Sequence, residues 1–147
     1  MTVGAATASP RTPLALGVLV TSAGGALGAL LRWAFTDAHA VPAGHFPWTT
    51  FLINVIGSGM LAALPAVAAV RNRHWLGLLL GTGVLGGFTT MSAASAETFD
   101  LFDGGHLGLG LAYCLGTLAA ALAAVLLVDH LSTEEQRREF ESGEGDE

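Results

Sequence analysis

The chain has 147 residues, 52% of them apolar and 12% charged, with a net charge of −6 and a positive mean hydropathy. That balance points to lipid rather than water as the solvent, and most of the acid is confined to residues 134–147, which read as a solvated, frayed tail rather than an acidic binding surface. Residues 13–31, 46–70, 75–96 and 107–128 each run without Asp, Glu, Lys or Arg; each is long enough to cross a hydrocarbon core of roughly 30 Å at about 1.5 Å per helical residue, and the connections are too short for a soluble catalytic domain.

Residues 1–12 are small, polar and Pro-containing, and are predicted to be disordered. The membrane domain is predicted over 13–131, with spans at about 14–35, 46–70, 75–99 and 106–130, followed by an acidic tail over 132–147. Leu14 to Val20, preceded by Arg11, has the look of a signal-peptide apolar region. It runs on too far without a cleavage site, so a retained first helix is expected. In that helix Gly24 and Gly28 form a GxxxG pair that lets another helix approach closely. Arg32 and Trp33 mark its far boundary, the indole suited to the interface and the guanidinium able to reach water or a carbonyl. The loop that follows holds Pro42, Pro47, His39 and His45. Two histidines with no cysteine and no well-spaced third ligand are weak metal evidence, and read as solvent-exposed.

The second span is expected to end at the polar turn Arg71-Asn72-Arg73-His74, and the third to begin at Trp75. Within the third span, residues 81–90 (GTGVLGGFTT) combine poor helix formers with membrane depth. A broken helix there would expose backbone groups that must face protein or a bound ion. The same glycines also suit an unbroken helix with a close contact face, Gly83 and Gly87 being spaced as GxxxG, and spacing alone leaves both open. Cys114 lies mid-span with no partner cysteine and reads as a small packing residue.

Polar residues inside the spans form a pattern. Thr50, Asn54 and Ser58 recur at i, i+4 and i+8, on one face of the second helix. The third span adds Thr89, Thr90, Ser92 and Ser95, and the fourth adds Tyr113 and Thr117. Hydroxyls and an amide are what a small unprotonated anion needs, because they replace water donors without the electrostatic trap of a buried Lys or Arg. Ser and Thr also serve as interhelical glue, which competes with this reading at each single position. Glu97 is the one acid within the third span, at its end. A proton-coupled exchanger would want an ionisable group nearer the midplane, and no nucleophile, base and orienter set marks an enzyme.

With these residues in view the sequence resembles the CrcB/Fluc family of small fluoride channels. The matching pieces are residues 24–33 (GGALGALLRW), 48–57 (WTTFLINVIG) and 86–97 (GGFTTMSAASAE), in the family's order, and the resemblance spans roughly residues 20–130. It implies an all-α integral membrane protein of four transmembrane helices, with a break in the third, forming an antiparallel (inverted) dimer. Two fluoride pores would lie between the subunits, and a structural sodium ion at the centre would be held by the carbonyls of Gly86 and Gly87. The resemblance makes Asn54 the pore asparagine and Thr50 a pore hydroxyl, and places Ser92 and Ser95 beside the pore. Tyr113 and Thr117 match its hydroxyl track in the fourth helix, Ala121 stands at the next hydroxyl position, and Arg32 and Glu97 match its usual basic and acidic positions.

One departure matters. Where the family carries two phenylalanines three residues apart, this chain has Met91 and Ala94. Ring edges offer an anion a positive quadrupole; methionine keeps part of that contact through polarisable bulk, and alanine keeps none. The expected function is passive export of cytoplasmic fluoride through a channel in the cell membrane, with fluoride, lipid and an inverted second subunit as partners and no nucleic acid. The alternative is a non-conducting or half-conducting structural subunit of a heterodimeric channel; a small drug exchanger is disfavoured because its first helix would carry an acid. Orientation is predicted from arginines, there being no lysines: Arg11, Arg71, Arg73, Arg137 and Arg138 share one side and Arg32 alone borders the other. The positive-inside rule then puts both termini in the cytoplasm and calls for a partner of opposite orientation.

Overall fold

The computed structural model describes the backbone of residues 13–143 and the side chains of residues 13–132. Expectations for residues 1–12, and for the side chains of Arg11, Arg137, Arg138 and the acids of the tail, lie outside the described residues. Among the described residues all regular structure is helical, and four helices are long and apolar enough to cross a membrane: Leu14–Ala38, Trp48–Ala66, His74–Asp103 and Leu107–Ser132.

Helix α1 (Leu14–Ala38) begins after Pro13, whose missing N–H costs nothing at a helix start. It turns through a short loop at Gly44 (φ 77°), where a side chain would meet the His106 ring. Helix α2 (Trp48–Ala63) follows Pro47 and tightens into a 3₁₀ turn over Leu64–Ala66. Pro65 and the extended Val67 end the regular helix before residue 70, the end expected from the apolar run; a short α3 (Ala68–Asn72) completes that segment.

The third span is the irregular one. Helix α4 (His74–Gly77) passes into a π-helical stretch, Leu78–Leu85, and then into α5 (Gly86–Phe88). The Gly86 N–H donates to the Gly81 carbonyl five residues back, the wider hydrogen bond of a π-turn. At Thr89 (φ −74°, ψ 154°) and Thr90 (φ −155°, ψ 115°) the backbone is extended, and α6 (Met91–Asp103) then begins with the Thr90 hydroxyl accepting the Ala93 N–H as its cap. Gly86 and Gly87 themselves are helical; the extended residues come just after them. Helix α7 (Leu107–Gly143) continues past the predicted end of its span at residue 130.

Helix α1 packs on the π-stretch and α5, while α2 and α6 pack on α7. The first contact is backbone on backbone. A Cβ on Gly24 would stand 2.5 Å from the Leu79 carbonyl oxygen, one on Gly28 2.0 Å from that of Val84, and one on Gly87 2.3 Å from that of Gly25. The small residues therefore serve close approach, the role expected of the GxxxG spacing. Leu19, Leu30, Leu52, Ile56, Leu115 and Leu122 point outward, as the lipid-facing side of a bundle requires.

Candidate functional site: a polar groove along α2, α6 and α7

The face of α2 that carries Thr50 and Asn54 is buried against α6 and α7, and both side chains are used there. Thr50 Oγ1 donates to Glu97 Oε1 at 2.6 Å, and the Tyr113 hydroxyl donates to Glu97 Oε2 at 2.5 Å. One carboxylate on α6 thus binds α2 and α7 together, each of its oxygens holding a hydroxyl. Tyr113 has no exposed surface, and its ring meets Phe46 edge-on at 5.3 Å, which ties the α1–α2 loop to α7.

One turn along α2, Asn54 engages the extended backbone. The Thr90 N–H donates to Asn54 Oδ1 (2.8 Å) and Asn54 Nδ2 donates to the Thr90 carbonyl (3.0 Å). In a continuous helix the Thr90 N–H would bond the Gly86 carbonyl, so that carbonyl is released from its helical partner. The neighbouring Gly87 carbonyl accepts from Arg32 Nε at 3.3 Å. Of the two carbonyls expected to hold sodium, Gly86 offers the free hard oxygen such a cation prefers, while Gly87 already meets a guanidinium.

Below this layer lies a half-open groove of about 520 Å³. Asn54, Ser58, Gly86, Thr89, Thr90, Met91, Ala94, Ser95, Thr98, Cys114, Thr117 and Ala121 line it. Of the sequence-predicted site residues, Asn54, Met91, Ser95, Thr117 and Gly86 come together here. Thr50 and Tyr113 sit above it on Glu97, and Ser92 is exposed, its hydroxyl 3.1 Å from that of Thr90. Thr117 is buried and donates to the Tyr113 carbonyl in its own helix at 2.6 Å. Met91 is 66% exposed, so its side chain has room to adapt, whereas Ala94 is packed in a cluster with Leu101 and Tyr113.

A second cavity, of about 310 Å³, opens at the α1–α2 loop and is floored by Thr50 and Glu97, with His39, His45 and Asp100 in its walls. No group of three metal-ligating side chains occurs among the described residues. The Arg32 guanidinium reaches a carbonyl, as the sequence led one to expect, whereas the carboxylate hub at Glu97 was not read as a site feature. Its signal was present in part, since Glu97 is the sole acid in the first two turns of α6, but its partner Tyr113 lies 16 positions away in the chain and meets it only in space.

These features define a small multi-pass membrane protein with a hydroxyl- and amide-lined groove between its helices. The family model described as "CrcB-like protein, Camphor Resistance (CrcB)" matches residues 19–128, and the chain belongs to that family. It is 44% identical over 112 residues to "Fluoride-specific ion channel FluC 1" of Streptomyces coelicolor, covering 75% of this chain and 73% of that protein. It is 43% identical over 113 residues to "Fluoride-specific ion channel FluC 2" of Nocardia farcinica (75% and 80% covered). With "Fluoride-specific ion channel FluC" of Novosphingobium aromaticivorans it shares 43% identity over 108 residues (71% and 86% covered).

Proposed function

We propose that this chain is a subunit of a fluoride-selective channel that exports cytoplasmic fluoride passively across the cell membrane. Hydrogen fluoride enters at low outside pH, dissociates inside, and the trapped anion leaves down its electrochemical gradient. The chemistry is exchange of hydration water for protein donors and back, with no covalent step. The observation that carries this reading is the groove lined by Asn54, Ser58, Ser95 and Thr117, with no Lys or Arg among its residues, in a chain whose relatives bear the name of fluoride channels.

The functional unit in this reading is an antiparallel dimer, with the extended step in the third span at its centre and the groove completed by an inverted partner. A sodium ion held at the released Gly86 carbonyl of each subunit would screen the facing carbonyl dipoles. The termini lie in the cytoplasm, supported by Arg71 and Arg73 on that side against Arg32 on the other. Met91 and Ala94 favour a heterodimer as the second reading, with this chain as a structural or half-conducting member and the partner supplying aromatic rings. Fluoride efflux from liposomes tests both: flux with the purified chain alone establishes a homodimeric channel, flux only with the partner establishes the second reading, and none in either case refutes the channel.

A further inference from the structure

Two polar side chains one turn apart on α2 reach across to α6, and they hold different parts of it. Thr50 holds Glu97, in the second turn. Asn54 reaches Thr90, the residue from which α6 starts, and closes on both its peptide groups: N–H to Oδ1 at 2.8 Å, Nδ2 to the carbonyl at 3.0 Å. This is the mutual exchange that two paired strand residues make, here between a side chain and a main chain. The extended Thr90 has lost its helical partner at Gly86, and within a membrane no water replaces it. Its own hydroxyl is spent on the Ala93 N–H. Asn54 is therefore what satisfies the Thr90 backbone.

We propose that Asn54 is a positioning residue that acts through Thr90: it fixes the direction in which α6 leaves the extended step, and with it the places of Met91, Ser95 and Glu97. The inference rests on the groove being the ion path and adds a second task to the same side chain. One amide hydrogen holds Thr90, and the other remains for the groove that Asn54 lines. Among substitutions of similar size, aspartate keeps the acceptor and loses the donor, and leucine loses both. The two halves of the contact are thus separable.

The test is amide exchange at Thr90, read by NMR on the full chain labelled with 15N-threonine in lipid nanodiscs, with fluoride efflux measured on the same variants in the conducting assembly. The Thr89 N–H, bonded to the Leu85 carbonyl, is the internal control and stays protected throughout. Asn54→Leu is expected to lower Thr90 protection by about tenfold or more, and Asn54→Asp to keep it within about threefold. Both are expected to lower flux by about tenfold or more, through α6 placement and loss of the donor. Thr90 protection unchanged in Asn54→Leu overturns the inference; if flux falls all the same, Asn54 is an ion ligand alone and the reading of the groove survives. Protection lost with flux at the wild-type level overturns it too. Where Asn54→Leu fails to assemble, Asn54→Asp decides: Thr90 protected with reduced flux supports the proposal, and Thr90 unprotected while Thr89 is protected overturns it.

Discussion

The Tyr113 hydroxyl donates to Oε2 of Glu97 at 2.5 Å from a position with no exposed surface, so a single phenol joins α7 to the carboxylate that also holds Thr50 of α2. Tyr113→Phe keeps the ring against Phe46 and deletes that donor. A hydrogen bond to a charged group is worth about 1.5–3 kcal/mol, and a loss of that order is expected in unfolding midpoint measurements in micelles. Thr50→Val removes the other donor, and the pair should be non-additive in a double-mutant cycle because both act on one carboxylate. Simple additivity would show that Glu97 does not couple them.

Gly28 and Gly25 are both glycines of α1, but their environments differ sharply. A Cβ on Gly28 meets the Val84 carbonyl at 2.0 Å, and one on Gly25 meets nothing within 4 Å. Gly28→Ala is expected to yield aggregated or unassembled protein by size exclusion, because the obstacle is backbone and cannot swing aside. Gly25→Ala should remain monodisperse, with stability changed by no more than about 0.5–1 kcal/mol.

Met91 lines the groove and is exposed, so no packed neighbour encloses its side chain. If aromatic edges are what this chain lacks, Met91→Phe should raise the fluoride efflux of the chain reconstituted alone. Efflux from such liposomes that stays at the wild-type level would show that the ring at this position is not limiting.

A chain of fixed orientation should show its C-terminal end on one side only. With Cys114 replaced by alanine and a cysteine placed at Ser132, a membrane-impermeant maleimide added to intact cells is expected to leave the protein unlabelled until the membrane is permeabilised. Labelling of a comparable fraction from each side would establish dual topology and restore a homodimer.

If the proposed dimer holds sodium at Gly86, replacing sodium with N-methylglucamine is expected to weaken it, seen as a shift toward monomer in micelles, because the carbonyl dipoles would lose the cation that screens them. A dimer indifferent to the exchange would remove sodium from the structure. The residual cationic partner would be Arg32 at Gly87.

Much of the bundle was legible because lipid imposes length and apolarity on each crossing, and no charge interrupts the four runs. The helix ends were less so: Pro65 and Val67 terminate regular helix inside an apolar stretch, and π-winding over Leu78–Leu85 leaves no mark on hydropathy. Spacing placed Thr50 and Asn54 on one face, but their partners come from residues 36 to 47 positions away, which periodicity does not reach. The face, read as a hydrogen-bonding stripe suited to an anion or to interhelical glue, holds α6 and its starting residue with two of its members, the part that glue would play. Thr117 spends its hydrogen within its own helix. The glycine run left two readings open on spacing, and both kinds of feature occur there: close backbone contact at Gly87 and, two residues on, an extended backbone.

The glycine contact between α1 and residues 79–88 has a mechanical consequence. With main chain against main chain at Gly24, Gly28 and Gly87, α1 and the first part of the third span form one closely packed arm. Helices α2, α6 and α7, fastened through Glu97, make the other. Within the third span the two parts are joined by the extended threonines Thr89 and Thr90, while α2 also touches the π-stretch and α5, so those two residues are where the dihedral angles of the third span can absorb a bend. Asn54 bonds both peptide groups of Thr90 and also lines the groove, so a bend there would have to break its hydrogen bonds.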